Sequence, residues 1–181
     1  MTVPDSTSID LPALIRDGSG AWKLDPAGSS VEFHVKHFWG LMTVHGRFDT
    51  LSGEGQVDPA GTVSGQIRIA ADSVNTKNKK RDQHLRSDDF FDAEPHPTVT
   101  IEATGLTPAQ GGELRGSVTF DAAGHQQPLD TVIRVVDASA DAVTVRAEAD
   151  VERAAFGMTW GPLHMTAPTA HAVVTARFVR S

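Results

Sequence analysis

The chain contains no cysteine and no tyrosine, and only 6% of its 181 residues are aromatic. Without cysteine there is no disulfide framework, no thiolate metal site and no cysteine nucleophile. Without tyrosine, the phenolic hydroxyl that often holds a polar ligand group is absent too. No apolar run approaches the ~18 residues of a membrane-spanning helix, so stable insertion into a membrane is not expected. Near the N-terminus the one apolar stretch, residues 11–15, is broken by Pro12 and lacks a basic lead. No signal peptide is visible there, and the expected location is cytoplasmic. Positive charge is scarce: the net charge is −7, and the basic run at 77–81 is followed by acids. That balance argues against a nucleic-acid partner. A nucleophile elbow, a phosphate loop and a paired-carboxylate spacing are all missing, so nothing in the sequence asks for an enzyme.

What the chain does have is alternation. One domain is expected at this length, with residues 1–20 as a polar N-terminal extension and 21–181 as the body. Asp10 can cap a short helix over 11–16, with Pro12 in its first turn and Gly18 just past its end. From Ala21 onward apolar residues recur every second position, the mark of half-buried strands. Val31, Phe33, Val35 and His37 share one phase, as do Met42, Val44, Gly46 and Phe48. Ile67, Ile69 and Ala71 follow, then Val99, Ile101 and Ala103, then Leu114, Gly116, Val118, Phe120 and Ala122. Residues 128–136 read as one strand whose alternation is spoiled by Val132 and Val136, which implies burial on both faces or a bulge. The regular run at 143–151 places Val143, Val145, Ala147, Ala149 and Val151 on one side, and a last strand covers 170–179. Such a series predicts an all-β sandwich or barrel.

Residues 75–101 break the pattern. Polar helix formers over 78–86 are followed by Asp88, Asp89, Phe90, Phe91, Asp92 and Glu94, and Pro95 and Pro97 end the excursion. A charged insertion carrying a Phe pair between two strands is what a lid over a barrel mouth looks like. Either Phe90 or Phe91 is expected to point inward. Arg81, Asp82, His84, Arg86, Asp89 and Asp92 suit an ion-pair network that pins the lid, the favoured reading, or a polar ring around a ligand.

Small inward residues (Gly46, Ala71, Ala103, Gly116, Ala122, Ala147, Ala149) either leave room for a slender ligand or interleave with large ones in a tight core. The histidines show no metal-ligand spacing, so neither a metal nor a cofactor is expected. His37, the one ionisable group in an apolar inward phase, is a rim histidine or a donor to a ligand head group.

Arg81-Asp82-x-His84-Leu85-Arg86-Ser87-x-Asp89-Phe90-Phe91-Asp92, followed by Pro97-Thr98, resembles the signature of the YceI-like family of polyisoprenoid-binding, lipocalin-like proteins. The similarity continues in Trp22-x-Leu24-Asp25-Pro26, Ser29-Ser30-Val31-x-Phe33, Val35-x-His37 and Gly46-Arg47-Phe48. Further matches are Ala71-x-Ser73-Val74-x-Thr76 and Arg153-x-x-Phe156-Gly157-Met158, so the likeness runs from Trp22 to Phe178. The resemblance implies an extended, eight-stranded antiparallel barrel with a short helical lid. It also implies non-catalytic binding, carriage or sequestration of a polyprenyl quinone, a polyprenyl alcohol or another fatty lipid. A second copy of the chain is a further candidate partner. The residues expected to meet the ligand from the first hairpin are Phe33, Val35, His37, Phe38, Trp39, Met42, Val44 and Phe48. Trp39 and Met42 would wall the mouth or shorten the tunnel. From the lid come Arg81, His84, Phe90 and Phe91. The remaining strands add Ile67, Ile69, Ile101, Val118, Phe120, Val145, Ala147 and Ala149, with Phe156 and Met158 near the end. The rival expectation is a small barrel enzyme acting on an isoprenoid or fatty-acyl substrate, with His37 as base and Arg81 or His84 as electrophilic helper. A pure interaction module would instead show a filled barrel.

Overall fold

A computed structural model describes residues 9–181. The start of the N-terminal extension, residues 1–8, lies outside the described residues. The first element is helix α1 (Leu11–Asp17). Its N-terminus is held by Asp10, whose side chain accepts from the Ala13 N–H at 3.1 Å, and the Gly18 N–H closes the last turn on Ile15.

The strands are β1 (Gly20–Leu24), β2 (Ser30–His37), β3 (Met42–Phe48), β4 (Leu51–Val57), β5 (Val63–Ala70) and β6 (Val74–Asn75). After the lid come β7 (Thr98–Pro108), β8 (Glu113–Ala122), β9 (His125–Pro128), β10 (Ile133–Ala138), β11 (Ala142–Glu152) and β12 (Thr169–Arg180). Eight of these close into a ring, β1-β4-β5-β7-β8-β10-β11-β12, and β12 returns to β1. All the pairings are antiparallel. The fold is therefore a closed eight-stranded antiparallel barrel with extra strands and two short helices.

The extra strands lengthen the barrel at one end. Residues 178–180 of β12 pair with β1 and residues 171–175 of the same strand pair with β2, so β1 and β2 are halves of one long strand. Pro26, in a short 3-10 turn, makes the break, and Arg177 pins it by pairing with Asp25 at 2.7 Å. β3 and β4 are likewise halves, and β5 continues into β6 through a second 3-10 turn. β3 pairs with β2 and β6, so the β2–β3 hairpin rises beyond the ring at the lid end.

One expectation about the strands changes and one holds. Residues 128–136 are not one strand: β9 turns back onto β8, while β10 pairs with β11. The bulge that Val136 suggested is real, since register shifts between Val135 and Asp137. β10 pairs with β11 only as far as Arg146. Beyond it the wall beside β11 is bridged by the Thr131 hydroxyl donating to the Glu148 carbonyl.

The apolar interior falls into two clusters. Around the lid end lie Phe48, Leu51, Ile69, Val74, Val99, Phe156 and Met158. At the opposite end Leu11 and Ile15 of α1 pack with Trp22, Val57, Leu106, Leu114 and Val135. Helix α1 therefore serves as a plug, its apolar side turned into the barrel because only that face can be buried.

Candidate functional site: an apolar barrel cavity under a lid

Between α1 and the lid the barrel holds a cavity of about 660 Å³, within the roughly 300–1,000 Å³ of small-molecule sites. The floor is Leu11, Leu14, Ile15 and Trp22. The indole N–H of Trp22 donates to the Gly18 carbonyl at 2.8 Å, so the floor turns carbon rather than an unsatisfied donor toward the cavity.

The walls follow the two-residue period of the strands. Ile67 and Ile69 of β5, Ile101 and Ala103 of β7, and Val118 and Phe120 of β8 line one side. Val145, Ala147 and Ala149 of β11 face them with Ala172 and Val174 of β12. Toward the lid the lining passes to Phe33, Val35, Val44 and Phe48, then to Phe156 and Met158.

Not every small residue read as inward leaves room. Ala71 and Ala122 are packed core. Gly46 exists because the ring of its cross-strand partner Phe33 lies over it, where a Cβ would clash. At Gly116 a Cβ would sit 2.7 Å from the Thr104 and Gly105 carbonyl oxygens, where β7 shifts register. Ala103, Ala147 and Ala149 are the alanines among those read as inward that line the cavity.

Three of the expected ligand residues are misplaced by the sequence reading. Phe38, Trp39 and Met42 are exposed at the β2–β3 hairpin tip and do not line the cavity. The chain turns there with positive φ at Phe38 (49°) and Trp39 (54°), which ends the strand's alternation and carries these side chains outward.

The lid is built around helix α2 (Lys79–Leu85), capped by the Asn78 side chain accepting from the Arg81 N–H. Buried Asp82 accepts from the Thr76 N–H at 2.8 Å and its hydroxyl at 2.6 Å. Arg81 donates to the Thr76 hydroxyl and carbonyl, and Arg86 to the Val74 carbonyl. His84 meets Asp89 at 2.8 Å. The charges therefore pin α2 to residues 74–76, and Arg81 and His84 also reach the cavity. Both Phe rings line it as well: Phe91 stands edge-on to Phe48 with centroids 5.3 Å apart, and Phe90 packs on His84 at 5.1 Å.

Polar groups collect at this end. The His37 Nδ1 and the Thr166 hydroxyl share a hydrogen bond of 2.8 Å, and the Trp160 ring stands edge-on to His84 at 4.4 Å. Arg153 is buried. Its Nε donates to the Ala167 carbonyl at 2.9 Å, and Nη1 donates to the carbonyls of Met158 and Trp160. Burial away from water pulls its pKa down from the usual arginine value. Thr166, Trp160 and the α1 floor were not expected as lining. Residues 157–168 carry no periodicity, and the only signal there was an apolar, Trp-containing loop between two strands. Among the described residues no group of three histidines or acids could hold a metal ion.

Comparison with known proteins agrees with this architecture. The YceI-like domain family matches over residues 22–178. A UPF0312 protein of Staphylococcus aureus (strain N315) is 32% identical over 108 residues, 59% of this chain and 61% of that protein. A UPF0312 protein of Vibrio cholerae (strain N16961) is 32% identical over 107 residues, 57% of this chain and 55% of that protein. The match thus spans less than two thirds of these relatives. Among solved structures, Burkholderia cenocepacia BcnA superposes with a TM-score of 0.76 at 21% identity, covering 85% of this chain and 98% of that one. A domain from Saccharophagus degradans, described as polyisoprenoid binding and implicated in plant cell wall breakdown, gives 0.74 at 22% identity, covering 88% and 98%. At these identities the likeness establishes the fold.

Proposed function

Because the chain belongs to the YceI-like domain family, we propose that it is a non-catalytic binder of a long-chain isoprenoid or a lipid of similar width. The tail would lie along the barrel axis and the head group at the lid end. The observation that carries this reading is the apolar cavity of about 660 Å³, lined at one end by α1 and at the other by Phe90 and Phe91. A filled core would leave no such space. The description of the Saccharophagus domain as polyisoprenoid binding points the same way.

The energetics favour a tail-dominated mechanism. Burying each CH₂ contributes about 0.8 kcal/mol, so a five-carbon isoprene unit brings roughly 3 to 4 kcal/mol before ordering costs. A head-group hydrogen bond nets about 1 kcal/mol. Affinity then scales with buried tail length, while His37, Arg81 and His84 at the mouth set orientation. Selectivity among tails of equal width is loose.

Organic extraction of freshly purified protein followed by mass spectrometry tests the reading. Near-stoichiometric intact isoprenoid or fatty lipid is the expected result. A protein that carries no lipid and takes up no fluorescent polyprenyl analogue refutes it. Turnover of isoprenoid or acyl substrates with a bell-shaped pH profile would put the small-enzyme reading in its place.

A further inference from the structure

Exposed apolar side chains are concentrated on one small part of this molecule. Among the described residues, the large hydrophobic side chains left in solvent are Phe38, Trp39, Leu41, Met42, Trp160, Leu163 and Val136. All but Val136 belong to the β2–β3 hairpin tip or to the 159–165 loop. Trp39 is 71% exposed, Leu41 85% and Leu163 78%. The two segments are tied together behind their tips, since Thr166 bridges to His37 and the Ala167 N–H donates to the Lys36 carbonyl.

Turn chemistry does not account for this choice of residues. The β2–β3 loop has four residues, 38–41, between the paired His37 and Met42, and positive-φ positions in such a loop are filled best by Gly, Asn or Asp. Here two of those positions hold Phe38 and Trp39, and Leu163 and His164 in the neighbouring loop also have positive φ, both at 54°. Bulky residues are kept in a backbone region that disfavours them, with little burial in return.

Place supplies the missing reason. The hairpin and the loop stand at the lid end and are continuous with the cavity mouth. His37 and Thr166 line the cavity, and Trp160 lines it with one part of its ring system while packing on His84 and Phe90 of the lid. A long apolar tail that is not in a protein resides mainly in a bilayer, so a mouth that meets a bilayer gives the tail a path that avoids water. Tryptophan and long aliphatic side chains on projecting loops are suited to the headgroup–acyl boundary. We propose that the β2–β3 hairpin tip and the 159–165 loop form a membrane-docking rim, which inserts its apolar side chains into a lipid surface and sets the cavity mouth against it. The proposal rests on the lipid-binding reading for the purpose of docking, but it is tested apart from it.

The experiment is sedimentation of the wild type and a Trp39→Ser/Leu41→Ser variant with phosphatidylcholine vesicles, alone and mixed with phosphatidylglycerol. A parallel assay loads a polyprenyl analogue from detergent, where no bilayer is needed. The expected result is vesicle binding by the wild type that falls at least about tenfold in the variant, since two apolar side chains leave the bilayer. Loading from detergent should be unchanged, because neither residue lines the cavity. Brominated lipid should quench wild-type fluorescence more than that of Trp39→Phe, which checks insertion without relying on the double variant's fold. Equal vesicle binding by the two proteins overturns the proposal. So does a wild type that ignores vesicles but dimerises through the tip, with the variant monomeric. Failure of the wild type to load the analogue from detergent would count against lipid carriage instead, and leaves the vesicle result to be read by itself.

Discussion

Arg153 carries a cation into the barrel, where backbone carbonyls are its hydrogen-bond partners among the described residues. Its hydrogen bonds end on the carbonyls of Met158, Trp160 and Ala167, which are spread along the loop that forms one wall of the mouth. The guanidinium fork is what reaches three separate acceptors, and a lysine could not reproduce it. Arg153→Lys and Arg153→Met should each lower stability by about 2 kcal/mol or more, because buried carbonyls lose charged donors. Urea midpoints measure this, and a shift near zero for Arg153→Met would mean that the loop holds itself. His171 gives a prediction of opposite location and sign of interest. It lies on the barrel's outer face with His34 and His45 in one cross-strand row, and Asp150 and Glu148 sit beside it at 2.8 and 3.4 Å. The Asp150 hydrogen bond, aided by both carboxylate charges, raises its pKa above the usual value. A raised folded-state value means the pair's contribution is complete below the unfolded pKa of about 6.5 and fades as pH rises through the folded one. The stability gap between wild type and His171→Gln should therefore be largest below about pH 6.5, where both carboxylates are still ionised, and shrink as pH rises through the raised folded value. A gap that widens with pH would contradict the assignment.

At the scale of elements, the lid is where sequence and structure speak most directly to each other. Phe91 packs edge-on to Phe48, and Phe90 packs on His84 and Trp160, so each ring joins the lid to a different part of the rim. Removing both leaves the Asp82, Arg81 and Arg86 bonds to 74–76 in place. Phe90→Ala/Phe91→Ala should therefore open the mouth without unfolding the lid. Each ring is only half-buried, so the loss should fall below the 3–5 kcal/mol typical of a core Phe→Ala change. Lipid exchange should speed up by about tenfold or more, equivalent to ~1.4 kcal/mol off the barrier. Stopped-flow transfer of a fluorescent polyprenyl analogue measures it, and an unchanged rate would deny the rings a gating role. The lid was legible because its charges and its Phe pair interrupt a strict two-residue period, and that same period gave the inward faces of β5, β7, β8 and β11. The hairpin tip was misread for a related reason. Met42 keeps the phase of β3, but alternation says nothing about where a strand leaves the barrel wall. At Gly46 and Gly116 the tight-core alternative holds: a missing Cβ looks like space in a sequence, whereas a neighbouring ring or backbone fills it. The 157–168 loop, which supplies Trp160 and Thr166, has no period to read.

For the whole molecule, the deciding question is whether the interior is a ligand's space or only loosely packed core. Helix α1 lines the end away from the lid and the first three long strands are each broken, yet the cavity is lined by both apolar clusters. Ala147 and Ala149 lie midway along β11 and line it, so a larger side chain there projects into the cavity rather than into a neighbour. Ala147→Phe should keep the lipid-free protein about as stable as the wild type, since overpacking costs of roughly 1–3 kcal/mol arise only where atoms already fill the site. Binding of the polyprenyl analogue should fall steeply, because the ring takes the volume the tail needs. Urea midpoints of delipidated proteins, read beside analogue titrations, separate the alternatives. A large loss of midpoint would mean that the barrel closes around Ala147 in solution and that no tail passes that level. Retained stability with lost binding is the expected result, and with it the small side chains of β11 become determinants of how long a tail the barrel accepts.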